Sequence, residues 1–173
     1  MTAINLGMNA KLYVMNTAAA PTVPVPYNTA LGQWIECPNI KDLTLDISVD
    51  TADVTVRGNN GWKASVATLK DATIDFDIIS NTQNSDYILL KNAFLSNLRI
   101  GVLCLDKDKS TPASAGGDAS WNGAGEGLKA DMNVVKFSRG EQLAEGIKIS
   151  VSLKPTYSSN APTWVTTPQT NNS

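Results

Sequence analysis

The side chains in this chain that could do chemistry are mostly carboxylates. The tripeptide "DFD" places Asp75 and Asp77 two residues apart, so both leave the same side of an extended strand. With Asp46, Asp50 and Asp131 they could be imagined as a hard-cation cage or as the acid–base pair of a glycoside hydrolase. The plainer account is that they are the outward half of strand alternation, and no Gly-punctuated loop clusters them. There is no His in 173 residues, so no Ser–His–Asp or Cys–His nucleophile and no His-based zinc site can be built. "GNNG" at 58–61 is not a phosphate cradle, because no Lys-Ser/Thr follows it and its flanks read as strands. "KDK" at 107–109 reads as a solvated loop. Cys37 and Cys104 lie in apolar surroundings and read as buried free thiols, with a disulfide between them left open. The expectation is a protein that is not an enzyme and needs no metal or cofactor.

These groups ride on strands. Leu43, Leu45, Ile47 and Val49 alternate with Thr44, Asp46, Ser48 and Asp50, the period of a half-buried strand. Ala72, Ile74, Phe76 and Ile78 alternate with Thr73, Asp75 and Asp77. Between them, Thr51–Val56 and Trp62–Leu69 read as a separate hairpin, its tip marked by Asn60-Gly61, which tolerates positive φ. "KLYVM" and the stretch 32–37 are further short strands. Leu98–Leu105 is apolar on both alternating sets and predicts a strand covered on both faces. Leu128–Val134 and Ile147–Leu153 are two more half-buried strands. One helix is predicted: Asn84 or Ser85 caps it, Asp86 suits its positive end, Tyr87, Leu90 and Phe94 form its stripe, and Asn97 stops it.

Composition narrows the class. One domain spanning 1–173 is expected, with a Pro-rich N-terminal arm over 1–31, a long loop over 107–126 and a mobile C-terminal tail over 158–173. Charged residues make up 17 % and net charge is −2, which gives no basic patch for wrapping nucleic acid. No apolar run of about 18 residues spans a membrane, and the start shows no signal-peptide pattern. The fold expectation is mainly β, a β-sandwich or barrel with one flanking α-helix and extended arms.

The stretch "DVTVRGNNGWKASVATLKDATIDFDI" (53–78) resembles the signature block of the major tail tube proteins of long-tailed bacteriophages with non-contractile tails. "NAFLSNLRIGVLCLD" (92–106) is similar to the family's helix end and following strand, and "GLKADMNVVKFSRGEQLAEGIKISVSLKPTY" (127–157) to its closing hairpin. The resemblance runs in order over about 32–165, and the N-terminal arm and the 107–126 loop depart from it. It implies a structural virion protein that self-assembles into stacked hexameric rings. The resulting tube would pass DNA without specific binding, meet tape-measure and tail-tip proteins, and be assembled in the host cytoplasm. On this reading the hairpin is an inter-subunit arm with Arg57, Asn59 and Trp62 at the contact, in keeping with the enrichment of Arg and Trp at interface centres. Trp62 could instead fill its own core. A sliding duplex calls for a wall that does not hold phosphate, so Asp46, Asp75 and Asp77 are expected to share one lumen-facing surface. A carbohydrate-binding β-sandwich module presenting Trp34, Trp121 and Trp164 is the alternative.

Overall fold

The computed structural model describes residues 10–27, 29, 32–106, 126–141 and 146–165. Its strands are β1 (Lys11–Thr17), β2 (Gly32–Glu36), β3 (Ile40–Asp53), β4 (Ser65–Ile79), β5 (Ile100–Leu105), β6 (Gly127–Gly140), β7 (Lys148–Pro155) and β8 (Thr163–Val165), with helix α1 (Ser85–Leu95) between β4 and β5. They form one antiparallel sheet in the order β2-β1-β5-β6-β7-β4-β3, with β8 also on β6.

The long strand β6 belongs to two halves of this sheet. Its first half pairs with β5 (Ile100 opposite Met132, Leu105 opposite Gly127), and its second half pairs with β7 (Met132 opposite Pro155, Gly140 opposite Lys148). The ladder slips at Val134/Lys136, where the bulge bends the strand. One apolar cluster takes Leu12, Val14 and Val102 from one half and Ile74, Phe76 and Leu153 from the other. The sheet therefore closes around its core as a sandwich. A smaller cluster of Tyr13, Leu103 and Leu105 covers the opposite face of β5, so every residue of β5 is buried, as its doubly apolar sequence requires.

Helix α1 lies over β6. Leu89, Leu90 and Ala93 enter the core; Tyr87 and Phe94 stand on Phe137, at ring separations of 6.1 and 5.8 Å. Leu89, outside the expected stripe, is buried, while Leu95 is exposed. Asn97 takes φ 51° just past the helix. Leu98 N–H donates to the Ala93 carbonyl and Asn97 N–H to that of Phe94, closing the helix in a left-handed cap.

Three expectations need correction. The hairpin is not a separate pair of strands, since β3 and β4 run without interruption from Ile40 to Asp53 and from Ser65 to Ile79. No Pro or Gly breaks the chain at Lys70, and a bulge between Val49 and Thr51 absorbs the irregularity. The N-terminal arm over 1–31 contains β1, which is interior to the sheet and buried from Leu12 to Asn16. The C-terminal tail is structured to Val165. Its β8 pairs Trp164 with Leu128, in the lane beside β6 that β7 vacates. The 107–125 part of the expected loop, with Trp121, lies outside the described residues.

Candidate assembly interface

The joined strands β3 and β4 leave the sandwich as a two-stranded ribbon. From Asp46 to Asp71 every residue is exposed except Asn59 and Ala64, which are half-buried. Scattered apolar side chains on a surface are ordinary. Here Val49, Val54, Val56, Trp62, Val66 and Leu69 crowd onto one projection that has no core of its own. Trp62 is 79 % and Leu69 73 % exposed. A lone hairpin is at best marginally stable in water, and exposed apolar side chains gathered on one projection mark a candidate contact surface.

Its tip is nonetheless well determined. The Asp53 carboxylate accepts from the Thr55 amide (2.9 Å) and hydroxyl (2.5 Å). These bonds, with Lys63 at 3.8 Å, hold the carboxyl below its ordinary range although it is open to water. Thr55 Oγ1 in turn accepts from the Ala64 amide at 2.9 Å, closing the neck of the loop. A single 3₁₀ turn spans Arg57–Asn59. Asn60 and Gly61 then take φ 49° and 83°, the positive pair that their sequence foretold. The Trp62 amide donates back to the Asn59 carbonyl at 2.9 Å, and the indole stands clear of the ribbon. Arg57, Asn59 and Trp62 thus sit together at the tip. Trp62 does not fill the core of its own chain.

The polar face of the sheet brings together Asp46, Asp75 and Asp77. Asp46 is opposite Thr73 and Asp75 opposite Thr44, so all three project from one side. The same register sets lysines among them. Ser152 and Ser150 of β7 lie opposite Asp75 and Asp77, and Lys136 of β6 lies opposite Ser152. Ser152 donates to Asp75; Ser150 donates to Asp77 at 2.6 Å, and Lys148 pairs with Asp77 at 2.7 Å. Lys154 reaches Asp71 at 3.1 Å. Burial alone would raise the Asp77 carboxyl, but its bonds from Lys148 and Ser150 outweigh that and hold it below the ordinary range. Asp71 is held down by Lys154 and by the Ala72 amide. The face carries Lys148 and Lys154 among its acids, so its charge is mixed rather than acidic or neutral.

A second carboxylate has another role. Asp131 is 1 % exposed and accepts from the Tyr27 amide (2.7 Å), Asn160 Nδ2 (3.1 Å) and the Ser158 hydroxyl (2.5 Å). Across the ladder stands Gly101, where an added Cβ would lie 2.6 Å from the Tyr27 nitrogen. This Gly–Asp pair is a socket for the N-terminal arm. The Tyr27 hydroxyl donates to the Ala161 carbonyl at 2.5 Å, so the C-terminal segment closes over the same point. Sequence reading took Asp131 as one more outward acid, because alternation does not reveal that the arm covers that face.

Chemistry of other kinds finds little footing. Among the described residues no group of three or more His, Cys, Asp or Glu side chains could hold a metal ion. Cys37 and Cys104 are free and buried. Burial, with Asp86 and Glu36 nearby, pushes the Cys37 thiol up, and burial pushes Cys104 up to about 12, so neither is a ready nucleophile. Trp34 packs against the Tyr13–Leu103–Leu105 cluster. Trp164 donates its indole N–H to Glu126 Oε1 at 2.5 Å. No helix among the described residues is long and apolar enough to cross a membrane.

No protein-family model and no curated protein sequence matches the chain. Solved structures do. The tail of an empty gene transfer agent particle, refined with C6 symmetry, superposes with a TM-score of 0.61 at 8 % identity, covering 94 % of this chain and 100 % of that one. The SPP1 tail tube gives 0.59 at 9 % identity over 87 % and 75 % of the two chains. The six-fold symmetrised baseplate of the anti-feeding prophage gives 0.57 at 8 % identity over 95 % and 97 %. The chain has the fold of phage tail tube proteins, at a sequence identity to these neighbours of only 8–9 %.

Proposed function

We propose that this protein is a structural subunit of a phage-type tail tube, a virion component that assembles into stacked hexameric rings whose channel passes DNA during ejection. The observation that carries this reading is the β3–β4 ribbon, a preorganised, apolar projection that its own chain does not cover. Its tail-tube fold and the six-fold assembly of similar structures support it. Arg57, Asn59 and Trp62 are the tip contacts to a neighbouring subunit. The protein acts by binding copies of itself and does no catalysis. Tape-measure and tail-tip proteins are the other partners expected, with assembly in the host cytoplasm.

The face bearing Asp46, Asp75 and Asp77 lines the channel in this reading. Its interleaved lysines refine the electrostatic logic. A net cationic wall would gain affinity for phosphate by counterion release at every ring. Asp77 and Asp71, bonded to Lys148 and Lys154, offset that gain, and the short Ser and Thr side chains leave the wall polar and low. Negative-stain microscopy of the purified protein at high concentration tests the proposal. Rings or tubes are expected; intact virions whose tube is built by a different protein, with this chain monomeric, would overturn it.

A further inference from the structure

We propose that the ribbon tip of one copy seats in the groove beside Trp164 of another, with Arg57 of the incoming tip paired to Glu126 of the receiving chain. This rests on the reading of the ribbon as an inter-subunit arm and names what that arm binds. The groove is a cavity of about 430 Å³ between the roots of β3 and β4 and strand β8, walled by Ile47, Val49, Leu128, Pro162 and Trp164, with Lys70 and Asp71 also lining it. Ile47, Val49 and Trp164 remain 44, 42 and 48 % exposed there. A largely apolar hollow of this size takes one large aromatic side chain and its neighbours, and the tip offers Trp62 with Val56.

Charge complements shape. Arg57 is exposed at the tip, and among the described residues it has no acidic partner. Glu126 is exposed in the adjoining hollow that shares Trp164 with the groove, its carboxylate on the Trp164 indole, and among the described residues it has no basic partner. A buried tryptophan beside an arginine–carboxylate pair is the composition of an interface centre. Pairing also steers the correct tip to the groove.

The occupant is a second copy because the chain's own tip is out of reach. Strand β3 continues from Val49, past its bulge, out to Asp53, and at about 3.3 Å per residue the tip at Val56 lies on the order of 20 Å beyond the groove. Tip and groove are different surfaces of one chain. Their contact is therefore head-to-tail, and it leaves a free tip and a free groove at the ends of any open chain of subunits. The Thr55 and Asn60–Gly61 geometry holds the tip ready before contact, so little ordering entropy opposes docking.

Charge exchange tests the pairing. Arg57→Glu and Glu126→Arg should each weaken assembly at least about tenfold in pelleting or light scattering, with the double exchange recovering to within about threefold of the native chain. Glu126→Gln keeps the acceptor for Trp164 without the charge, and should weaken assembly while leaving the melting temperature unchanged. In parallel, Trp62→Cys with Pro162→Cys should give disulfide-linked ladders under mild oxidation. If Arg57→Glu blocks assembly while both Glu126 variants assemble normally, the tip docks elsewhere and this proposal fails, although the ribbon reading stands. If Arg57→Glu itself assembles normally, the ribbon reading fails. Two impaired single variants with no recovery in the exchange, or cross-links confined within one chain, would also overturn the proposal.

Discussion

The strand pair β5–β6 and the strand pair β3–β4 are both antiparallel ladders, yet they are stabilised by different things. In β5 every side chain is buried, and the Gly101–Asp131 rung is covered by the arm at Tyr27. In the outer half of β3–β4 no side chain is buried, and order comes from local bonds around Asp53, Thr55 and the Asn60–Gly61 turn. The first ladder is completed within the chain. The second leaves Val49, Val54, Val56, Trp62, Val66 and Leu69 exposed, and in the proposed assembly a neighbouring subunit covers them. Substitutions in the two should therefore separate stability from assembly.

The largest effect on the fold is expected at Ile74, fully buried where β4 enters the sandwich. Ile74→Ala should cost about 3–4 kcal/mol and lower the melting temperature by roughly 10 °C in calorimetry. Its counterpart Leu69→Ala, on the same strand within the ribbon, should move melting by less than about 2 °C and yet weaken assembly. An equal loss of stability at both positions would erase the distinction between the ladders.

Asp131 comes next. Asp131→Ala leaves the buried Tyr27 amide without its acceptor and should cost about 2–3 kcal/mol. Hydrogen exchange should show Tyr27 and the 156–165 segment losing protection together. Loss at only one of them would mean that the two termini are not held at one socket.

Two carboxylates should give smaller effects of opposite sign with pH. Asp86 is 3 % exposed with Oδ2 unpartnered, and burial raises its carboxyl. Its contribution favours the fold below the ordinary aspartate range and is lost as pH rises through the raised value. Asp86→Asn should then raise the melting temperature by about 2 °C at pH 7 and leave it unchanged near pH 3. Asp77 is held down, so its contribution is present at neutral pH and is lost as pH falls through its lowered value. Asp77→Asn should lower the melting temperature slightly at pH 7 and leave it unchanged in strong acid. Thermal scans across pH check both, and parallel pH profiles for the two variants would contradict the assignment.

Much of this was readable in the sequence because alternation reports burial directly. Ala72–Ile78 and Ile147–Leu153 gave their inward faces; the doubly covered strand expected over Leu98–Leu105 holds for Ile100–Leu105, while Leu98 is exposed before it begins. Asn60-Gly61 foretold positive φ, and Asn97 foretold the helix stop. Other features depend on partners distant in the chain. Asp131 looked like Asp46 or Asp75 because its covering groups come from residues 27, 158 and 160. Trp164 looked like a loose aromatic because the tail carried no strand pattern longer than Thr163–Val165. Glu126 carried no local signal at all. The place of the β7 lysines beside the acids of β4 is a matter of register, which period-two patterning leaves open.

Hydrogen exchange on the dissociated and assembled protein tests the central claim most directly. Amides of Val54–Val66 should exchange rapidly in the dissociated chain and slow by at least about a hundredfold on assembly, while those of β5 stay slow in both states. Ribbon amides that exchange equally fast in the two states would show that no neighbour covers the projection, and the ribbon would not be an inter-subunit arm.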